Sequence, residues 1–140
     1  MYSRELTYTD LVTGEERKQT FYFNLTEFET TEWALMDDLE ELVATRDRTR
    51  ILRALRRLVR HSVCQRFGDE IGKPEYYGDI FIASNAHSVL MMDLLGANNE
   101  KEQAAKIDEF LNGIVPWLKA KRAAEAIKPQ DHLAKKETTK

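Results

Sequence analysis

A strand pattern and a helix start signal meet within nine residues, FYFNLTEFE, at positions 21–29. Phe21 and Phe23 alternate with more polar residues, and this period of two predicts a strand. Thr26 and Glu29 have the spacing of a capping box, in which the threonine oxygen accepts from a free backbone amide and the glutamate reaches back to the cap. The chain is therefore expected to leave a strand and enter a helix after Thr26.

An alternating segment also precedes this junction. Leu6 and Tyr8 alternate with polar residues over positions 3–9, and Gly14 lies where a turn between the two segments needs a positive φ. We therefore predict a β-hairpin over residues 1–25. Because two strands alone are marginal in water, the apolar face of this hairpin must pack on helices or pair with another chain.

Helical periodicity dominates the rest of the chain. The predicted segments are 26–45, with a break near Met36, then 48–67, 84–95, 100–112 and 117–127. Asp47 and Ser84 are placed as N-terminal caps, whereas Gly68 and Gly113 are placed as C-terminal ends. We predict a mainly α fold, a compact bundle of about five helices, in a single domain over residues 1–128. The polar end, 129–140, is predicted to be a flexible tail.

Arginines gather on one side of the helix predicted over 48–67. This face comprises Arg46, Arg50, Arg53, Arg57 and Arg60. A single-faced row of arginines can track phosphates, so it suggests a small regulatory nucleic-acid binder. The favoured interpretation is a solvated face that pairs with residues 26–45, which precede it and contain seven acids and no base; a protein partner is the next alternative. No aromatic residue is interleaved with the arginines, and this disfavours single-stranded nucleic acid.

The neighbouring pair Met91 and Met92 is a second candidate for contact with a partner. Methionine side chains adapt to irregular apolar surfaces, so they suit a groove that receives a partner helix. Packing in the core of this chain is the competing interpretation. Both surfaces are therefore candidate partner-binding sites, and neither needs a cofactor.

Signals for catalysis, metals and membranes are absent from the sequence. His61 and Cys64 are three residues apart, but a zinc site needs three or four ligands and no further cluster supplies them. No glycine-rich phosphate loop occurs. The start of the chain lacks an apolar signal segment, and no apolar run approaches the roughly 20 residues that span a bilayer. The net charge of −3 disfavours general binding of polyanions.

The order of three phrases resembles the tail assembly chaperones of long-tailed bacteriophages. The first is the junction at 21–29; the second is SVCQRFG at 62–68 followed by FIASNAH at 81–87; the third is AAKIDEFLNGIVP at 104–116. The loop over 69–80 and the arginine content of 46–60 depart from the family pattern. The resemblance covers residues 3–118.

This resemblance implies a non-enzymatic protein of the host cell cytoplasm that is absent from the finished virion. Such proteins bind the tape measure protein, keep it soluble and help recruit tail tube protein. Many are also made in a longer form by programmed frameshifting, and Ala134, Lys135 and Lys136 are compatible with a slippery A-rich codon run. Self-association is left open, and the nucleic-acid binder remains the alternative function.

Overall fold

The computed structural model describes residues 1–44, 47–96 and 99–119. Its helices and strands follow in the order β1 (Tyr2–Thr9), β2 (Glu16–Phe23), α1 (Glu27–Glu32), α2 (Met36–Ala44), α3 (Arg48–Ser62), β3 (Val63–Phe67), β4 (Glu70–Gly72), α4 (Tyr77–Ile82), α5 (Asn85–Leu95) and α6 (Glu100–Ile114). Residues 116–119 are helical again. The predicted flexible tail and the greater part of the helix predicted over 117–127 lie outside the described residues.

The four strands form one antiparallel sheet in the order β1-β2-β3-β4. β1 and β2 pair along their whole length, from Tyr2 opposite Phe23 to Thr9 opposite Glu16. β3 pairs with both neighbours: its first two residues pair with β2, and its last three pair with β4. The predicted N-terminal hairpin is confirmed, with Gly14 at φ +73° in its turn.

The prediction of a mainly α bundle is wrong, because the described residues also contain this four-stranded sheet. Residues 63–67 were assigned to the end of the helix that starts after Asp47. In the structure that helix ends at Ser62, and Val63 and Cys64 are buried where they pair with β2. β-branched and aromatic residues fit such a pleated surface better than a helix.

β3 and β4 form a second hairpin, which the helix predicted over 48–67 excludes. Gly68 does not end a helix; it has φ +61° in the two-residue loop between Phe67 and Glu70. Glycine at the first position of such a loop is typical of a type II′ hairpin turn. The loop expected over 69–80 therefore contains β4 and the start of α4.

The capping signals at Thr26 and Asp47 are confirmed, whereas Ser84 precedes α5 without a capping hydrogen bond from its side chain. The Thr26 side chain accepts from the Glu29 amide at 3.1 Å, and the Glu29 carboxylate accepts from the Thr26 amide at 2.9 Å. Asp47 accepts from the Thr49 amide at 2.9 Å at the start of α3. These caps satisfy backbone donors that have no partner inside the helix. Local hydrogen bonding thus sets both helix starts.

An aromatic cluster joins the sheet to the helices. Phe23 and Phe110 are fully buried, and the Tyr2 ring meets the Phe110 ring edge-on at a centroid distance of 5.1 Å. Phe81 of α4 contacts Phe21 and Phe23 in the same way, at 4.9 Å and 5.6 Å. The apolar face of the hairpin therefore packs on α4, α5 and α6, as two strands alone require.

Candidate functional site

The two groups considered for catalysis have different surroundings in the described residues. The His61 ring stacks on Trp33 at a centroid distance of 4.7 Å, at the end of α3, whereas Cys64 is buried in β3. Burial raises the pKa of the Cys64 thiol, which keeps it protonated and poorly nucleophilic. No group of three or more His, Cys, Asp or Glu within the described ranges could hold a metal ion.

Acids of this chain flank the arginine face on both sides. Arg50 forms an ion pair with Glu41, and Arg57 binds Asp38 at 3.0 Å, both on α2. On the other flank, Arg60 binds Asp79 at 2.8 Å. The acidic segment and the arginine helix thus pack with complementary charge, and most of the row faces carboxylates of its own chain. This pairing leaves less free positive charge for a phosphate backbone.

Arg53 and Arg56 are two further arginines of α3. Both are exposed, and neither forms an ion pair within the parts of the chain that the structure describes. They are three residues apart on α3, so their side chains are neighbours on the helix surface. Arg53 belongs to the predicted face and Arg56 does not, whereas Arg46 lies outside the described residues. Arg48, in the first turn of α3, is also exposed and forms no ion pair in the described residues, so Arg48, Arg53 and Arg56 are the arginines of α3 best placed for an external partner.

The two methionines of α5 have different surroundings. Met92 is 75% exposed, whereas Met91 is half-buried and packs against the core. Successive residues on a helix point to different sides, so the pair does not form one groove. Met92 alone remains available to a partner.

An apolar groove that no sequence pattern predicted lies between α2 and α6. It has a volume of about 250 Å³, and its lining residues are Leu39, Val43, Asp108, Leu111, Asn112, Val115, Leu118 and Lys119. Val43 is 64% exposed, whereas Leu39, Leu111 and Val115 in the groove are buried. This volume is below the range of about 300–1,000 Å³ that is usual for small-molecule sites. The groove therefore suits a few aliphatic side chains of a partner better than a cofactor.

Sequence signals for this groove exist but are ambiguous. Leu39 and Val43 are four residues apart on α2, and Leu111, Val115 and Leu118 have helical spacing near the end of the chain. Such spacing marks one face of a helix. It does not tell whether that face is covered by another element or left open.

A second cleft, of about 240 Å³, lies beside Trp33 and Lys73. Lys73 binds the Glu29 carboxylate at 2.8 Å and donates to the Asn24 carbonyl at 2.6 Å. Burial lowers the pKa of Lys73, although the Glu29 carboxylate opposes that shift. The ammonium group of Lys73 already has its hydrogen-bond partners within the chain. We therefore interpret this cleft as structural, at the place where Lys73 connects the end of β4 to α1.

Comparison with known proteins gives one match. A family model described as phage tail assembly chaperone matches residues 1–140, the whole chain. No curated protein and no solved structure matches it. Among the helices of the described ranges, none has both the length and the apolarity needed to cross a membrane.

Proposed function

Because the chain belongs to the phage tail assembly chaperone family, we propose that it binds the tape measure protein and keeps it soluble during tail assembly. The family match over residues 1–140 is the observation that carries this proposal. Membership implies a non-enzymatic role. We also propose that the protein acts in the host cytoplasm, helps recruit tail tube protein and is absent from the finished virion.

The groove between α2 and α6 is the proposed contact for the client. An amphipathic helix presents apolar residues every three or four positions, and an open groove between two helices receives such a row. Val43 at the rim supplies exposed apolar surface, and Leu111 and Val115 supply the floor. The surface is small, so each contact is weak and the client is held by several side chains together.

The exposed arginines of α3 are a second proposed contact, and Met92 of α5 is a further one. Arg53 and Arg56 would bind carboxylates of the client, and ion pairs of this exposed kind contribute about 0–1 kcal/mol each. They would therefore select and orient the client more than hold it. The frameshifted longer form that would recruit tail tube protein involves residues outside the described ranges.

Coexpression with the tape measure protein tests the proposal. Val43→Asp places a charge in the groove at an exposed position, so the fold should be retained. We expect the soluble, co-purifying tape measure protein to fall several-fold. Ile80→Asp, at a position that is 65% exposed on α4, is the matched control and should leave the yield unchanged.

A second pair of variants separates the two surfaces. Arg53→Glu combined with Arg56→Glu should weaken co-purification most at low salt, because exposed charge interactions are screened as ionic strength rises. Unchanged recovery with both the groove and the arginine variants would refute the proposed contacts. If the wild-type protein itself neither solubilises nor co-purifies the tape measure protein, the proposed function is wrong.

A further inference from the structure

The rim of the α2–α6 groove is acidic. Asp108 lines the groove, and its carboxylate accepts from the Asn112 side chain at 3.3 Å. Glu40 is exposed on α2 three residues before Val43, so these two side chains are neighbours on the helix surface. Neither acid forms an ion pair in the described residues. An occupant that fits this groove therefore carries positive charge beside small apolar side chains.

The chain itself enters the groove after α6. Helical geometry breaks at Val115, which has φ −128° and ψ 61°, and residues 116–119 form a new helical turn. Leu118 and Lys119 then line the same groove as Asp108. The chain therefore leaves the described residues along the wall of the groove.

The stretch that follows carries the opposite charge to the rim. The sequence KAKR at 119–122 holds three bases, and Glu125 is the only acid from there to Pro129. Alanine and isoleucine are the other residues up to position 127. Alanine has the highest helix propensity, which agrees with the helix predicted over 117–127. This stretch therefore combines positive charge with small apolar side chains.

The position of Arg122 along the predicted helix matches that of Asp108 along α6. Asp108 lies seven residues before Val115, and Arg122 lies seven residues after it. In two antiparallel helices joined at Val115, these residues are level with each other, because each helix rises about 1.5 Å per residue. Arg122 also follows Leu118 by four residues, on the side of the helix that faces the groove. This register would bring its guanidinium group to the acidic rim.

We propose that residues 120–127 pack along the α2–α6 groove of their own chain, with Arg122 beside Asp108, and that a client helix displaces them. The segment is tethered to the wall of the groove, so its effective concentration there is high. Its alanines bury little surface and exposed ion pairs contribute little each, so the packed state is only weakly favoured. A client helix with larger aliphatic anchors therefore replaces the segment. The displacement rests on the function proposed above; the packing of the segment does not.

Hydrogen exchange of the full chain without client tests the packing. Backbone amides at 120–127 should exchange several-fold more slowly in the wild type than in Asp108→Lys or in Arg122→Glu, because each reversal sets like charges side by side. The two reversals combined in one chain should restore slow exchange, since the pair is then opposite in charge again. Glu109→Lys, at an exposed position of α6 outside the groove, and Lys128→Glu, beyond the segment, are the matched controls and should exchange as the wild type does.

A helix at 120–127 that touches nothing would also exchange slowly. Such a helix would not respond to Asp108→Lys, because residue 108 lies outside it. Amide exchange that Asp108→Lys leaves unchanged, or a double reversal that exchanges as fast as the single ones, would therefore overturn the packing. Thermal unfolding followed by circular dichroism establishes that each variant is folded.

Client capture tests the displacement. At limiting protein concentration, Arg122→Glu should capture several-fold more tape measure protein than the wild type, because its groove is free, whereas Lys128→Glu should capture as the wild type does. Equal or lower capture by Arg122→Glu would overturn the displacement. If Val43→Asp loses capture while no reversal changes amide exchange, the proposed function stands and this inference fails. If the wild type captures no client but the exchange results hold, the packing stands and the proposed function fails.

Discussion

Replacing Gly113 with alanine sets two opposing effects against each other. Gly113 lies inside α6, one residue before its end, so it is not the C-terminal cap that its sequence position suggested. In a helix, alanine is more favourable than glycine by about 1 kcal/mol. On that basis alone, Gly113→Ala should stabilise the protein.

The contact with β1 reverses this sign. The added Cβ would lie 2.6 Å from the Tyr2 Cβ and 3.1 Å from the Tyr2 Cα. Carbon atoms pack at about 3.5–4.0 Å, so α6 and β1 must separate or a side chain must leave its rotamer. Such overpacking typically costs about 1–3 kcal/mol. After subtraction of the helix gain, we expect the free energy of unfolding to fall by about 0–2 kcal/mol.

Urea unfolding followed by circular dichroism measures this change. Asn112→Ala, at the exposed neighbouring position, is the control that gains helix propensity without the clash, and it should be neutral or slightly stabilising. In a Tyr2→Gly background, which removes the Tyr2 Cβ, Gly113→Ala should become less harmful than in the wild type. An alanine variant that is more stable than the wild type by about 1 kcal/mol would refute the close approach of α6 and β1.

Three further predictions follow from buried groups. Phe110→Ala, at a fully buried position edge-on to Tyr2, should lower the free energy of unfolding by about 3–5 kcal/mol in denaturant titration; a loss below about 1 kcal/mol would contradict its central place in the core. Burial and a nearby arginine lower the pKa of His87 below 6.5, so the unfolded state binds the proton more readily and the free energy of unfolding should fall as the pH drops below that value. His87→Gln should flatten this pH dependence. An unchanged slope would exclude His87 as its source. Burial raises the pKa of Asp38 although Arg57 opposes the shift. Arg57→Gln should therefore lower the free energy of unfolding by about 1–3 kcal/mol at pH 7, and this loss should shrink as the pH falls and the Asp38 carboxylate takes up a proton. A loss that grows at low pH would refute this coupling.

Elements with local causes were predictable from the sequence. The capping box at Thr26 and Glu29 and the cap at Asp47 depend on hydrogen bonds between residues two or three positions apart. The first hairpin follows from alternation on both sides of Gly14. Such signals are complete within one short window, so no knowledge of the rest of the chain is needed.

The second hairpin shows why the predicted fold class was wrong. Residues 63–67 follow a strong helix directly, with Val63 and Phe67 at the helical spacing of four, and Gly68 suits a helix end as well as a turn. Pairing of Val63 with Phe23 and of Cys64 with Tyr22 decides between these alternatives. That pairing joins residues about 40 positions apart, so it depends on where the first hairpin packs.

The candidate site also combines features that local sequence predicts with features that depend on tertiary packing. Sequence identified the arginines of α3, but α2 and α4 supply the carboxylates that bind three of them and leave Arg53 and Arg56 exposed. Helical spacing marked the apolar faces of α2 and α6, but only their tertiary arrangement leaves a groove open between them.

The sequence by itself determined the first hairpin, the starts of the capped helices and the likeness to a chaperone family, because each depends on short-range patterns along the chain. Only the tertiary structure decided the four-stranded sheet, the tight contact of Gly113 with Tyr2, and the exposure of Leu11, Val12 and Val43. Burial and charge neutralisation depend on elements that are distant in sequence. The surfaces that a partner can reach are therefore a property of the packed molecule.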